Sequence, residues 1–121
     1  MLFRSKIGVA LGANPLTFNG LSGVGDLFLT CTSEKSRNFT VGYRLGKGEA
    51  LHAINQSLGS VAEGVATAEA AYNLSRSLKL ATPIIDEVYK VLYEGKSVTL
   101  AVTDLITRDA RPELDEIVKK L

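Results

Sequence analysis

The stretch TPIIDEVYKVLYEGKSVTLAVTDL, residues 82–105, decides the fold. Thr82 stands where a helix N-cap belongs, and Pro83 at the first helical position needs no N–H donor and brings its φ already set. Ile84, Ile85, Val88, Val91 and Leu92 then recur at helical rather than alternating spacing, and Gly95 stops the run. Ser97 caps a second helix, in which Val98, Ala101, Val102 and Leu105 repeat the same stripe. Pro112 opens a last one, with Leu114, Ile117, Val118 and Leu121 on one face.

Working back toward the N-terminus, VATAEAAYNLSRSL (65–78) predicts the best-formed helix. Its alanines favour helix, and Val65, Ala68, Tyr72, Leu74 and Leu78 mark a broad face. Shorter helices are expected over 3–12, stopped by Asn14-Pro15, then over 15–21, 36–46 and 49–55. GLSGVGD (20–26) and SLGSVAEG (57–64) read as glycine loops, and Asp26 as the start of a helix over LFLTC. The GKG at 46–48 closes the third helix. No period-two alternation is long enough for a strand. The expectation is a single all-α domain over 1–121, built of about seven or eight short helices.

The 121 residues carry 14 basic and 13 acidic side chains, a net charge of +1, which leaves no electrostatic footprint for nucleic acid or an anionic membrane. No run approaches the length of a membrane helix. MLFRSKIGVALGA could pass for a weak signal peptide, but Ile7, Ala10 and Leu11 also read as a helical face. The single cysteine, Cys31, rules out an internal disulfide and fits a reducing compartment such as the cytoplasm.

Most of the usual chemistry finds no support. One histidine, His52, and one cysteine make a poor metal site, and nothing recommends them as a nucleophilic pair. Asp86-Glu87 and Asp115-Glu116 lie early in their helices, where they favour the dipole. GLSGVGD is neither a dinucleotide fingerprint nor a P-loop, but it stands as a tight turn that brings backbone close to something. The richest stretch is DLFLTCTSEKSRN (26–38). Arg37 and Asn38 would occupy the first turn of a helix, where backbone N–H groups point outward. Ser36 adds a hydroxyl, Arg37 a fork of donors, and Asn38 both donor and acceptor. Asp26 would accept from hydroxyls, with Thr30 on the same helix face. A small phosphorylated ligand suits this set. The plainer alternative is that Ser33 or Ser36 merely caps the helix and Arg37 is a solvated charge.

LGANPLTFNGLSGVGDLFLTCTSEKSRN (11–38), VAEGVATAEAAYNL (61–74) and TPIIDEVYKVLYEGK (82–96) together resemble the C-terminal, substrate-binding domain of bacterial-type NAD(P)-dependent glycerol-3-phosphate dehydrogenases. The resemblance runs from about residue 3 to about residue 109 and leaves 110–121 as a divergent tail. It implies an all-α domain like the C-terminal domain of 6-phosphogluconate dehydrogenase. It also implies interconversion of sn-glycerol 3-phosphate and dihydroxyacetone phosphate with NAD or NADP, the reduced direction feeding phospholipid synthesis. Asp26, Thr30, Ser36, Arg37 and Asn38 would contact substrate, and Arg37, Val61 and Glu63 the cofactor. The family's Rossmann domain and its catalytic lysine would fall upstream of Met1, and neither Lys6 nor Lys35 stands in the context to replace that lysine. The chain alone is therefore expected to be inactive, to need a Rossmann partner, and to form homodimers as the family does. A stand-alone helical anion-binding module, a purely structural helical protein, and a dehydrogenase of another hydroxy acid remain open alternatives.

Overall fold

A computed structural model describes residues 2–59 and 62–109. The architecture is all-α, with no strand among the described residues. Seven α-helices are described: α1 Leu2–Ala10, α2 Asp26–Thr32, α3 Arg37–Gly46, α4 Leu51–Leu58, α5 Glu63–Ser77, α6 Pro83–Tyr93 and α7 Val98–Ile106. A 3-10 turn, Pro15–Asn19, and a π-helical turn, Leu21–Gly25, lie between α1 and α2. The helix expected to open at Pro112 lies outside the described residues, as does Asp115-Glu116.

Pro83 opens α6 as expected, but the Thr82 hydroxyl does not cap the backbone. Thr82 is fully buried, and its Oγ1 donates to Asp86 Oδ1 at 3.4 Å. Both helices around the second predicted loop run longer than their patterns suggest. α4 continues to Leu58 because Ile54 and Leu58, one turn apart, both pack into the core, and Gly59 then turns left-handed with φ 61°. α5 begins at Glu63, so Glu63 and Gly64 belong to its first turn and not to a loop.

The glycine segment 20–26 is the larger correction. The backbone is tight, as the glycines suggest, but from Leu21 it is helical rather than a loop, and Gly25 passes into Asp26 with α-helical angles on both sides. Asp26 therefore does not sit at a free helix end, since its N–H already donates back to Gly23 and Leu21. The glycines serve Phe18. A Cβ at Gly23 would fall 2.1 Å from the Phe18 carbonyl oxygen, and one at Gly8 would fall 2.2 Å from the Phe18 ring. α1 and the π-turn thus close on the same residue from two sides.

α3 is the hub, touching α2, α4, α5 and α7. Val41 of α3, Ile54 of α4 and Ala62 before α5 form the buried core, with Leu45, Leu51, Leu58 and Val65 around it. α5 and α6 are joined by a tyrosine stack, Tyr72 on Tyr89 at 3.9 Å between ring centroids, continued by Tyr93 at 5.1 Å. The Tyr93 hydroxyl donates to the Val65 carbonyl at 2.8 Å. Burial pushes the Tyr89 phenol above its ordinary range.

Glu87 ties α6 to α7. The residue is 7% exposed, and its carboxylate accepts from Lys90 Nζ at 2.6 Å and from Lys96, which also bridges to Asp104. Those donors, Lys90 foremost, hold the Glu87 carboxyl below its usual value of 4.5. A depressed carboxylate contributes stability that is present above its unfolded pKa and is lost as pH falls through the lower folded one. Glu87→Gln is expected to cost about 2 kcal/mol at neutral pH and to flatten the loss of stability on acidification. Thermal melts across the acid range check this, and parallel acid limbs in the two proteins would remove Glu87 as their source.

Candidate functional site

The core places two helix starts side by side. Val41 of α3 and Ala62, the residue before α5, share one buried cluster with Ile54, which draws the starts of α3 and α5 together. α3 is capped within its own sequence, where Ser36 Oγ accepts from Phe39 N–H at 3.3 Å. α5 is not, because its N-cap is Ala62, which has no side-chain acceptor. Asn38 supplies one instead. Its Oδ1 accepts from Gly64 N–H at 3.1 Å, across 26 residues of sequence. This one bond joins the Ser-Arg-Asn turn to the turn that holds Glu63.

The residues singled out by sequence fall into two groups. Ser36, Arg37 and Asn38 adjoin Glu63 and Gly64 through that bond. Ser36 is half-buried, while Arg37, Asn38 and Glu63 are exposed. Arg37 has no hydrogen bond or ion pair among the described residues, and the same is true of the Asn38 amide nitrogen. Ser36 caps its helix, as the plainer reading held, but capping uses only an acceptor lone pair of the hydroxyl. Asp26 and Thr30 are one step away, exposed on α2, which packs against α3. Thr30 shares a face with Asp26, yet its hydroxyl hydrogen goes to the Asp26 carbonyl at 2.9 Å, leaving it an acceptor. No hydrogen bond among the described residues joins Asp26 or Thr30 to Ser36, Arg37 or Asn38. Val61 lies outside the described residues.

Gly64 was not singled out by pattern. The signal was present, since glycine is a poor choice in the first turns of a helix unless something approaches closely. Here that neighbour is Asn38: a Cβ at position 64 would fall 2.5 Å from Asn38 Oδ1.

Asn38 and Gly64 also line a groove of about 400 Å³ between α3, α5, α6 and α7, walled by residues such as Leu45, Val91 and Leu105. Apart from Asn38, its polar member is Glu87, already engaged by lysines. A ligand's polar end would therefore meet the α3 and α5 starts. Elsewhere the chemistry is sparse. Cys31 and His52 are exposed on α2 and α4 with no bond between them, and no group of metal-ligating side chains is found among the described residues. Among the described residues no helix is long and apolar enough to cross a membrane.

Comparison with known proteins bears on this geometry. Residues 4–103 match the family model for the NAD-dependent glycerol-3-phosphate dehydrogenase C-terminus. A glycerol-3-phosphate dehydrogenase [NAD(P)+] of Lacticaseibacillus paracasei is 50% identical over 111 residues, 92% of this chain and 32% of the relative. One from Desulfotalea psychrophila is 51% identical over 108 residues, 89% of this chain and 32% of its own. The 2.1 Å crystal structure of glycerol-3-phosphate dehydrogenase from Coxiella burnetii superposes with a TM-score of 0.81 at 31% identity, covering 84% of this chain and 31% of that one. The chain thus spans about a third of the length of the relatives it matches.

Proposed function

The chain belongs to the family of NAD-dependent glycerol-3-phosphate dehydrogenase C-termini, and from that premise we propose that it supplies the substrate side of a site that interconverts sn-glycerol 3-phosphate and dihydroxyacetone phosphate. The observation that carries this reading is the Asn38–Gly64 bond. It sets a helix start bearing an uncommitted arginine beside a second helix start. Two such ends favour a phosphate through outward N–H groups and the positive ends of both dipoles. Arg37 adds a charge-assisted fork, and Ser36 and Asn38 add donors. Asp26 and Thr30, as acceptors on α2, suit the hydroxyls at the other end of a three-carbon ligand.

The cofactor in this reading is NAD or NADP, and the chain's polar groups fit a share of it. The exposed Arg37 and Glu63 offer a donor and an acceptor at the adjoining helix starts, and we assign Val61 to the cofactor with them. When bound, the nicotinamide supplies the hydride chemistry. We assign to these residues the binding and orientation of substrate, and we nominate no acid or base among them. The helical chain is read as one substrate-binding domain, working with a Rossmann partner and with a second copy of itself. The exposed thiol of Cys31 suits a reducing cytoplasm.

Calorimetric titration of the chain with sn-glycerol 3-phosphate, with glycerol and inorganic phosphate as controls, tests the reading. Binding that needs both moieties is expected, and Arg37→Ala is expected to weaken it roughly thirtyfold, the worth of one charge-assisted contact. Equal affinity in the variant would remove Arg37 from the site. Binding of phosphate alone would favour an anion-binding module over a substrate domain. Sedimentation of the same samples reads the second copy, and a monomer at all concentrations would exclude it.

A further inference from the structure

We propose that Gly64 is a positioning residue for ligand binding: it holds the Asn38 amide in one orientation, with the oxygen turned inward to α5 and the Nδ2 hydrogens left for an acceptor atom of the ligand. A side-chain amide is ambiguous by itself, since oxygen and nitrogen occupy equivalent positions and either can face a polar neighbour. Here the neighbour removes the ambiguity. A backbone N–H can only donate, so the Asn38 atom that meets Gly64 N at 3.1 Å must be Oδ1. The remaining end of the amide is then a pair of donors on an exposed side chain.

Three features make this arrangement more than an incidental contact. The Gly64 N–H is one of the first-turn donors that have no partner within a helix, and Ala62 cannot cap it. The approach tolerates no side chain, because a Cβ at position 64 would meet Asn38 Oδ1 at 2.5 Å, Cγ at 2.7 Å and Nδ2 at 3.0 Å. Finally, Asn38 follows Arg37 in the first turn of α3, so its bond to Gly64 ties the turn that carries Arg37 to the start of α5. Asn38 thereby caps α5 from another helix with one end and offers donors with the other. The assignment of donors to a phosphorylated ligand rests on the function proposed above, whereas the tie itself does not.

The test separates the two ends of the amide in the full 121-residue chain, with sn-glycerol 3-phosphate as the probe. Asn38→Asp keeps an oxygen for the Gly64 N–H but replaces the NH2 by a second, anionic oxygen. Its Gly64 amide is expected to stay protected from hydrogen exchange and its melting temperature to stay near that of the parent, while affinity falls by more than about tenfold. Gly64→Ala is expected to lose affinity by a similar factor although every proposed ligand contact is still present. In an Asn38→Ala background the same Gly64→Ala change is expected to cost little further affinity, because the side chain it displaces is gone. Wild-type affinity in Asn38→Asp or in Gly64→Ala would overturn the proposal. So would unchanged exchange of the Gly64 amide in Asn38→Ala, which reads the tie without any ligand. Absence of binding in the parent chain, with Gly64 protection lost in Asn38→Ala, would overturn the ligand role and the function proposed above while leaving the cap.

Discussion

Ile54→Ala is expected to destabilise the chain by about 3 kcal/mol and to lower Tm by on the order of 10 °C. Ile54 has no accessible surface and belongs to one buried cluster with Val41 and Ala62. Truncation removes the transfer energy of the lost carbons and leaves a cavity that the surrounding helices fill only in part. The buried apolar set is small: Val41, Ile54, Ala62, Ala68, Ile85 and Ala101 are buried, while Leu21, Phe28, Leu29 and Ile106 are among large side chains left exposed. Little else can compensate. The loss should reach the site, because the same cluster holds Val41, one turn into α3, and Ala62, the residue before α5, and exchange of the Gly64 amide should accelerate with it. Ile54→Val, which removes one carbon, is the graded control and should cost about 1 kcal/mol. An Ala variant that melts with the parent would mean that this junction is not the core of the domain.

Gly23→Ala should be comparably damaging, at about 3 kcal/mol, for a different reason. The added methyl would meet the Phe18 backbone, with its carbonyl oxygen at 2.1 Å, carbonyl carbon at 2.6 Å and Cα at 2.9 Å. Backbone cannot rotate aside as a side chain can, so either the 3-10 turn Pro15–Asn19 or the π-turn Leu21–Gly25 must shift. α2 continues directly from that turn, and Asp26 and Thr30 would be carried with it. Gly42→Ala makes the same chemical change with the opposite sign. It lies within α3 with nothing within 4 Å of its Cβ, and should gain about 0.8 kcal/mol from helix propensity alone. Thermal melts of both variants, with hydrogen exchange over 8–32, decide the matter, and equal melting of the two alanine variants would show that the Phe18 corner is not closely packed.

Helix content was legible in the sequence because local chemistry and spacing are enough to mark a helix. Pro83 opened α6, and Ser36 capped α3 as its position suggested. The candidate site was legible as residue types, Ser36-Arg37-Asn38 on a helix start, and as a resemblance carried by long motifs. The glycines were legible only in part. In GLSGVGD the tight backbone and its close approach to a neighbour follow from the glycines, but the π-helical turn and the identity of that neighbour, Phe18, do not. Gly64 reads as the end of a loop, but it is the helical residue on which Asn38 rests. The sequence by itself determined that the chain is helical and which side chains can meet an anion, since periodicity, caps and donor inventory are properties of neighbours along the chain. Only the tertiary structure decided that α5 is capped from α3 and which way the Asn38 amide faces. Those depend on a contact spanning 26 residues, and no local pattern encodes the approach of two segments that distant in sequence.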